Sequence, residues 1–304
     1  MKPQKTYVVT GASGLLGRAL CNELEAEGHR VVRVGRQPAM ASGRHVNAPN
    51  DLAWDPGRGM LDASSFAGAD GVVHLAGANV GQRWTPAHKQ AILRSRVDGT
   101  TLLMKGLTTV GYQGPVVTAS AVGIYGNRAD VCTEDAPRGT GFLAEVVEAW
   151  EGAATAHAPA GARLALARLG VVLAPSGGSL DRMRRVYNLG LGAPLGDGTQ
   201  WMSWIHLSDA VRALRHCLDH DLSGPVNATA PQPVQNRDFS KALARAMGRP
   251  HWAPAVPAWA LRMALGEMAD VVLHSQRAVP SVLRDAGFAW EHSELSEALR
   301  ACTR

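Results

Sequence analysis

The chain has 304 residues, 46% hydrophobic and 19% charged, which is enough to bury a real core in one large domain or two modest ones. Lys and Arg number 31 against 26 Asp and Glu, a net charge of +5 that is scattered apart from short clusters such as Arg182, Arg184 and Arg185. That pattern argues against a nucleic-acid-binding stripe and suits an anionic small molecule.

The first apolar run, Thr6 to Thr10, begins almost at once, so a cleaved leader is not expected. No run reaches the ~18 apolar residues of a membrane span. Cys21, Cys132, Cys217 and Cys302 form no close pair, so no metal centre is expected, and reduced thiols in a cytoplasmic protein fit best. After the first run comes TGASGLLG, then a helical pattern with Leu15, Leu16, Ala19, Leu20 and Leu24 on one face, stopping at Gly28. Val31 to Val34 is the next strand. Strand, helix and strand within about thirty residues form a βαβ unit.

Alternation continues with a weak strand at Leu52 to Trp54, a strong one at Gly71 to Ala76 and a long helix from Pro86 to Val110. Thr85-Pro86 supplies that helix with an N-cap and an N1 residue. A strand at Pro115 to Ala119, a helix at Leu143 to His157 and a strand at Leu164 to Leu173 follow. The expected fold is α/β, a Rossmann-type doubly wound parallel sheet with a smaller C-terminal substrate-side region. Residues 1–173 and 203–229 are assigned to the sheet domain; 174–202 and 230–304 form the smaller region. Residues Pro175 to Gly198 are rich in glycine, and helices are expected at Ser208–Leu218, Arg237–Met247 and Pro257–Leu265.

The loop Gly11, Ala12, Ser13, Gly14, Leu15, Leu16, Gly17 has the spacing G-x-x-G-x-x-G. Following the first strand and opening a helix, it lets backbone approach a pyrophosphate and aims helix N–H groups at it. At the end of the second strand, Gly35-Arg36 stands where NAD enzymes often place a carboxylate for the ribose 2′-hydroxyl. An arginine there accommodates a 2′-phosphate, so NADP(H) is the expected cofactor. Asp55 either accepts from the adenine or caps a turn with Pro56-Gly57. Leu75, Ala76 and Gly77 leave the fourth strand with small residues that let backbone pass close to a cofactor.

These features, with RWTPAHKQAILRSRVDGT (Arg83–Thr100), SAVGIYG (Ser120–Gly126), TEDAP (Thr133–Pro137), FLAEVVEAWE (Phe142–Glu151), GDGTQWMSWIHLSDAV (Gly196–Val211), LGEMADVVLHSQRAVP (Leu265–Pro280) and GFAW (Gly287–Trp290), resemble the extended short-chain dehydrogenase/reductases. The likeness is to the atypical "epimerase family protein" subgroup, related to NAD-dependent epimerases and dehydratases and ending in a domain of unknown function. The resemblance implies that Gly35-Arg36 hold the adenosine phosphate and that Leu75, Ala76 and Ala119 line the cofactor. It also implies that Arg96 contacts the cofactor, and that Gly170 and Val171 meet the nicotinamide carboxamide. It does not supply the superfamily's Tyr-x-x-x-Lys pair. Phe142 to Val147 contains no tyrosine, and no lysine lies between Lys105 and Lys241.

Three possibilities remain. The proton-transfer groups come from elsewhere, with Tyr125, Ser120 and His206 as candidates; hydride transfer needs little acid–base help; or the protein binds NADP(H) without turnover, as a redox sensor or regulator. Substrate contacts are expected from Arg83, Trp84, Gln200 and Trp204, toward an unidentified small or sugar-like molecule. The resemblance also implies that the long helices near 91–110 and 143–157 would pair two copies in a homodimer; a monomer remains open.

Overall fold

The structure is a computed structural model, and it describes residues 3–35 and 51–303. Its strands are β1 (Thr6–Thr10), β2 (Arg30–Gly35), β3 (Asp51–Asp55), β4 (Met60–Leu61), β5 (Gly71–His74), β6 (Pro115–Ala121), β7 (Arg128–Cys132), β8 (Arg163–Leu169), β9 (Val171–Leu173), β10 (Trp201–Met202), β11 (Trp204–His206), β12 (Gly224–Ala228), β13 (Val234–Gln235) and β14 (Gln276–Ala278). Its helices are α1 (Leu15–Ala26), α2 (Pro86–Thr109), α3 (Phe142–His157), α4 (Gly178–Asn188), α5 (Leu207–Asp219), α6 (Asn236–Ala246), α7 (Ala258–Leu265), α8 (Asp270–Leu273), α9 (Ser281–Asp285) and α10 (Leu295–Thr303).

The central sheet runs β12-β8-β6-β5-β1-β2-β3-β4 and is parallel except for the β3–β4 pair. Both faces are covered, which is why β1 and β5 read as nearly unbroken apolar runs. On one face Val9, Val31, Val73 and Val117 pack with Leu20 and Leu24 of α1 and Val211 and Leu214 of α5. On the other, Val8, Val32, Val72 and Val116 meet Leu103, Met104 and Leu107 of α2 and Ala154 of α3. Strand order reverses at β1, whose neighbours are β2 and β5. The crevice for a ligand therefore opens beyond the carboxyl ends of β1 and β5.

Local chemistry explains the element ends. Thr85 Oγ1 accepts from the His88 amide and Pro86 starts α2, as the sequence suggests. The strand expected over Leu164–Leu173 is two strands. At Gly170 the chain bends away: a Cβ there would lie 2.7 Å from the Ser203 carbonyl oxygen, and β9 leaves the main sheet to pair with β11. The glycine-rich stretch holds a helix that glycine content conceals, α4, which buries Leu180 and Tyr187 in a second core with Trp204, Phe239 and Leu243.

The C-terminal tail is tied down by Asp209, the third residue of α5 and fully buried. Its carboxylate accepts from the amides of Glu291 (2.8 Å) and His292 (2.9 Å) and from Arg212 (3.0 Å). Asp209→Ala leaves those amides unpaired and is expected to cost about 3 kcal/mol in urea unfolding. Hydrogen exchange should speed up first at residues 291 and 292; uniform loss of protection would mean that Asp209 does not act as this anchor.

Candidate functional site

The glycine turn is held by backbone against backbone. Gly11 adopts φ +68°, and a Cβ on it would lie 2.7 Å from the Leu75 carbonyl carbon. Gly14 donates its amide to the Gly11 carbonyl at 2.9 Å. A Cβ on Gly17 would lie 2.3 Å from that same oxygen. These distances leave no room for side chains, so β1, α1 and the end of β5 meet around one small cradle. Gly14 caps α1 with no side-chain hydrogen bond, and the first turn carries no acid. The amides of the first turn are thus uncapped by any side chain and suited to an anion. Ser13 and Gly14 are exposed and Ala12 is buried. Leu16 packs on the core, and Leu15 sits against Gly178.

Beneath the cradle lies a buried polar chain that the sequence reading missed. Thr10 Oγ1 accepts from the Leu75 and Ala76 amides at 3.2 and 3.4 Å, so its own proton goes to His74 Nδ1, 2.7 Å away. His74 Nε2 then carries the ring proton toward Thr100 Oγ1 (3.0 Å), which also accepts from Trp150 Nε1 (2.9 Å). Burial, and secondarily Arg96, hold the His74 pKa down at about 3. A histidine ending an all-apolar strand was the available signal.

Arg96 reaches the same strand end from α2. It donates to the carbonyls of Ala78 (3.1 Å) and Ile92 (3.2 Å), and its guanidinium carbon lies 4.9 Å from the Trp150 ring centre. A Cβ on Gly77 would be 3.2 Å from that carbon. Among the described residues no carboxylate pairs with Arg96, and burial lowers its pKa to about 10. A desolvated cation without a counter-charge, at the mouth of the crevice, is suited to an anionic ligand.

Other expected cofactor positions divide. Gly35 ends β2, and nothing among the described residues lies within 4 Å of where its Cβ would be. Arg36 lies outside the described residues. Asp55 takes the capping alternative: its Oδ1 accepts from the Gly57 amide at 3.0 Å. Ala119 is buried within β6. The amides of Gly170 and Val171 already donate, to Ala228 (3.2 Å) and Ser203 (2.8 Å), so any contact with a carboxamide there falls to their carbonyls.

Of the three acid–base candidates, Tyr125 and Ser120 share one buried network that does not include His206. Tyr125 is fully buried; its hydroxyl donates to Asn227 Oδ1 (2.8 Å) and accepts from Arg168 (3.0 Å), and burial pushes its pKa up. Arg168 also grips Glu151 with two bonds, at 2.9 and 2.8 Å, and donates to the Glu134 carbonyl. Ser120 donates to Glu151 at 2.5 Å. Both hydroxyls are thus fastened inside a buried network. His206 caps α5 through Nδ1 and packs 3.9 Å from the His292 ring; burial and His292 lower its pKa to about 4. The first two turns of α3, where the superfamily pair is expected, are formed and carry neither a tyrosine nor a lysine. Leu143 lies against Gly123, and Val146 and Val147 are buried.

Two substrate expectations need correction. Trp204 is a core residue whose Nε1 donates to the Gln232 carbonyl. Gln200 is buried and ties the Leu195 and Val272 carbonyls together. Arg83 is exposed, with its Nε 3.6 Å from where a Gly266 Cβ would be. Trp84 packs edge-to-face on Phe142 at 4.9 Å, and the two rings wall a cavity of about 360 Å³.

Residues 7–229 match the NAD dependent epimerase/dehydratase family, and residues 256–302 match a domain of unknown function, DUF1731. The epimerase family protein MT2273 of Mycobacterium tuberculosis is 44% identical over 97% of this chain and 96% of its own. A chloroplastic homolog of epimerase family protein SDR39U1 from Arabidopsis thaliana is 36% identical, covering 98% of this chain and 86% of its own. The crystal structure of human epimerase family protein SDR39U1 (isoform 2) with NADPH superposes with a TM-score of 0.86 and 30% identity, covering 98% of this chain and 99% of that one.

The two histidines held neutral make acid sensitivity testable. A folded pKa near 3 or 4 lies below the ordinary 6.5, so the unfolded chain takes up protons first as pH falls. Each should remove about 1.4 kcal/mol of stability per pH unit below 6.5. Urea unfolding between pH 6.5 and 5 should show this slope, and His74→Gln should reduce it; an unchanged slope would contradict the assignment.

Proposed function

The chain belongs to the NAD dependent epimerase/dehydratase family, and from that premise we propose that it binds NADP(H) on the glycine turn and uses it in an oxidoreductase or epimerase-like reaction. The substrate is proposed to be a small or sugar-like molecule reached through Arg83 and Trp84. The observation that carries the cofactor reading is the cradle itself: a bare α1 N-terminus on one side and Arg96, without a carboxylate partner among the described residues, on the other. The NADPH in the human relative's structure and Arg36 in the sequence support the phosphate-bearing form. Bound there, the cofactor would supply or accept a hydride, while Gly11, Gly14 and Gly17 admit its pyrophosphate and Arg96 neutralises anionic oxygens.

A second reading is favoured by one observation. Leu143 and Val147 fill the helix turns expected to carry a phenol and an ammonium, and Tyr125 and Ser120 are sealed inside the Arg168 network. A protein that binds NADP(H) without turnover, as a redox sensor or regulator, fits those facts. Deuterium transfer from 4-deuterated NADPH to a panel of carbonyl compounds separates the two: label in product supports the enzyme, and label retained across the panel supports the sensor. Partners beyond the small molecule are not proposed, nor is membrane attachment; among the described residues no helix is long and apolar enough to cross a membrane. We place the protein in the cytoplasm as a monomer or homodimer.

The two arginines should behave differently in ligand-induced thermal shifts. Arg96→Leu is expected to weaken NADPH and NADH alike, by about 10- to 100-fold. Arg36→Ala should weaken NADPH alone, toward the NADH value. Equal binding by both variants and wild type would remove both residues from the site.

A further inference from the structure

The open cavity beside Trp84 is lined by an ion pair. Lys89, on the first turns of α2, contacts Glu267 Oε2 at 2.6 Å. Its ammonium also lies 4.6 Å from the centre of the Phe142 ring. Glu267 belongs to a single 3-10 turn, Gly266–Ala269, between α7 and α8. The two partners are unequally fixed. Lys89 is 31% exposed and held against an aromatic face; Glu267 is 63% exposed and held by little else. Exposed ion pairs of this kind are weak, so the outer partner is easily exchanged. Arg83 stands beside the same turn, near Gly266, and among the described residues its side chain has no hydrogen-bond or ion-pair partner.

We propose that this cavity binds a molecule with one carboxylate on a flat apolar body, and that Glu267 occupies the carboxylate's place until the molecule arrives. The body lies on the wall formed by Trp84, Phe142 and Leu93. Its carboxylate takes Lys89 from Glu267, with Arg83 as a second cation at the rim. The sign follows from the better-held group: Lys89 stays when Glu267 turns out, leaving its positive charge against the aromatic wall with Arg83 as a further cation nearby. A cationic ligand would instead need Lys89, the better anchored partner, to leave. The proposal deepens the reading of Arg83 and Trp84 as substrate contacts by naming the substrate's charge and shape, and it does not depend on which cofactor binds.

Three near-isosteric probes test it: benzoate, benzamide and benzamidine, which are anionic, neutral and cationic. Their binding to the NADPH-saturated protein is followed by ligand-detected NMR. Wild type should prefer benzoate. Glu267→Gln should tighten benzoate about fivefold by removing its competitor, and Lys89→Met should abolish the preference. Preference for benzamidine, equal binding of all three, or no binding of any would overturn the proposal. The wild-type order alone is decisive should either variant fold poorly. NADPH affinity, titrated on each protein before saturation, reports on the glycine turn separately, so loss of one reading leaves the other standing.

Discussion

A methyl group on Gly17 would sit 2.3 Å from the Gly11 carbonyl oxygen, and one on Gly11 would meet the Leu75 backbone at 2.7 Å. No real atom tolerates such distances, so strand β1, helix α1 and the exit of β5 can close on one another only through glycine. The rest of the site hangs on that closure. It brings the α1 N-terminus to the point where strand order reverses. It puts Thr10 and His74 beneath the Leu75 and Ala76 amides, with Arg96 at the same strand end. The positive potential there comes from oriented amides and one arginine that no carboxylate among the described residues pairs with.

A second constraint acts deeper. Arg168 is buried, and its charge is matched by Glu151 in a two-pronged bond, with Tyr125, Asn227 and the Glu134 backbone completing the set. The Glu134 carboxylate accepts from the amides of Asn227 and Val282, and the Asn227 side chain donates to the carbonyls of Cys132 and Val279. One polar knot therefore joins β6, β8, β12 and the C-terminal segment. Removing one member of such a knot leaves a buried charge uncompensated, which costs several kcal/mol. The same bonding explains why the nearest phenol and hydroxyl are poor proton-transfer groups: their hydrogen-bonding capacity is committed to the interior.

Much of this was legible in the sequence wherever local pattern decides structure. Period and punctuation place β1, α1, α2, α3 and α5 to within a residue or two, and Thr85-Pro86 caps α2 as its chemistry dictates. The glycine spacing gives the cradle. What local pattern cannot show is the direction in which a side chain faces once strands leave the sheet. Trp204 and Gln200 look like pocket residues next to a glycine-rich stretch, but β11 turns Trp204 into the second core, and Gln200, just before β10, is a backbone tie. Tyr125 and Arg168 are 43 residues apart, so their contact follows only from the β6–β8 pairing. The Lys89–Glu267 pair spans 178 residues and depends on the C-terminal segment folding back over α2.

The central claim is that the cradle holds a dinucleotide and distinguishes it by its phosphate. Calorimetric titration of the wild-type protein with NADPH and NADH tests it most directly. The account predicts saturable binding of both, one per chain, with NADPH the tighter. Binding of neither nucleotide would contradict it, and would leave the glycine turn as a device for closing β1 on β5 and nothing more.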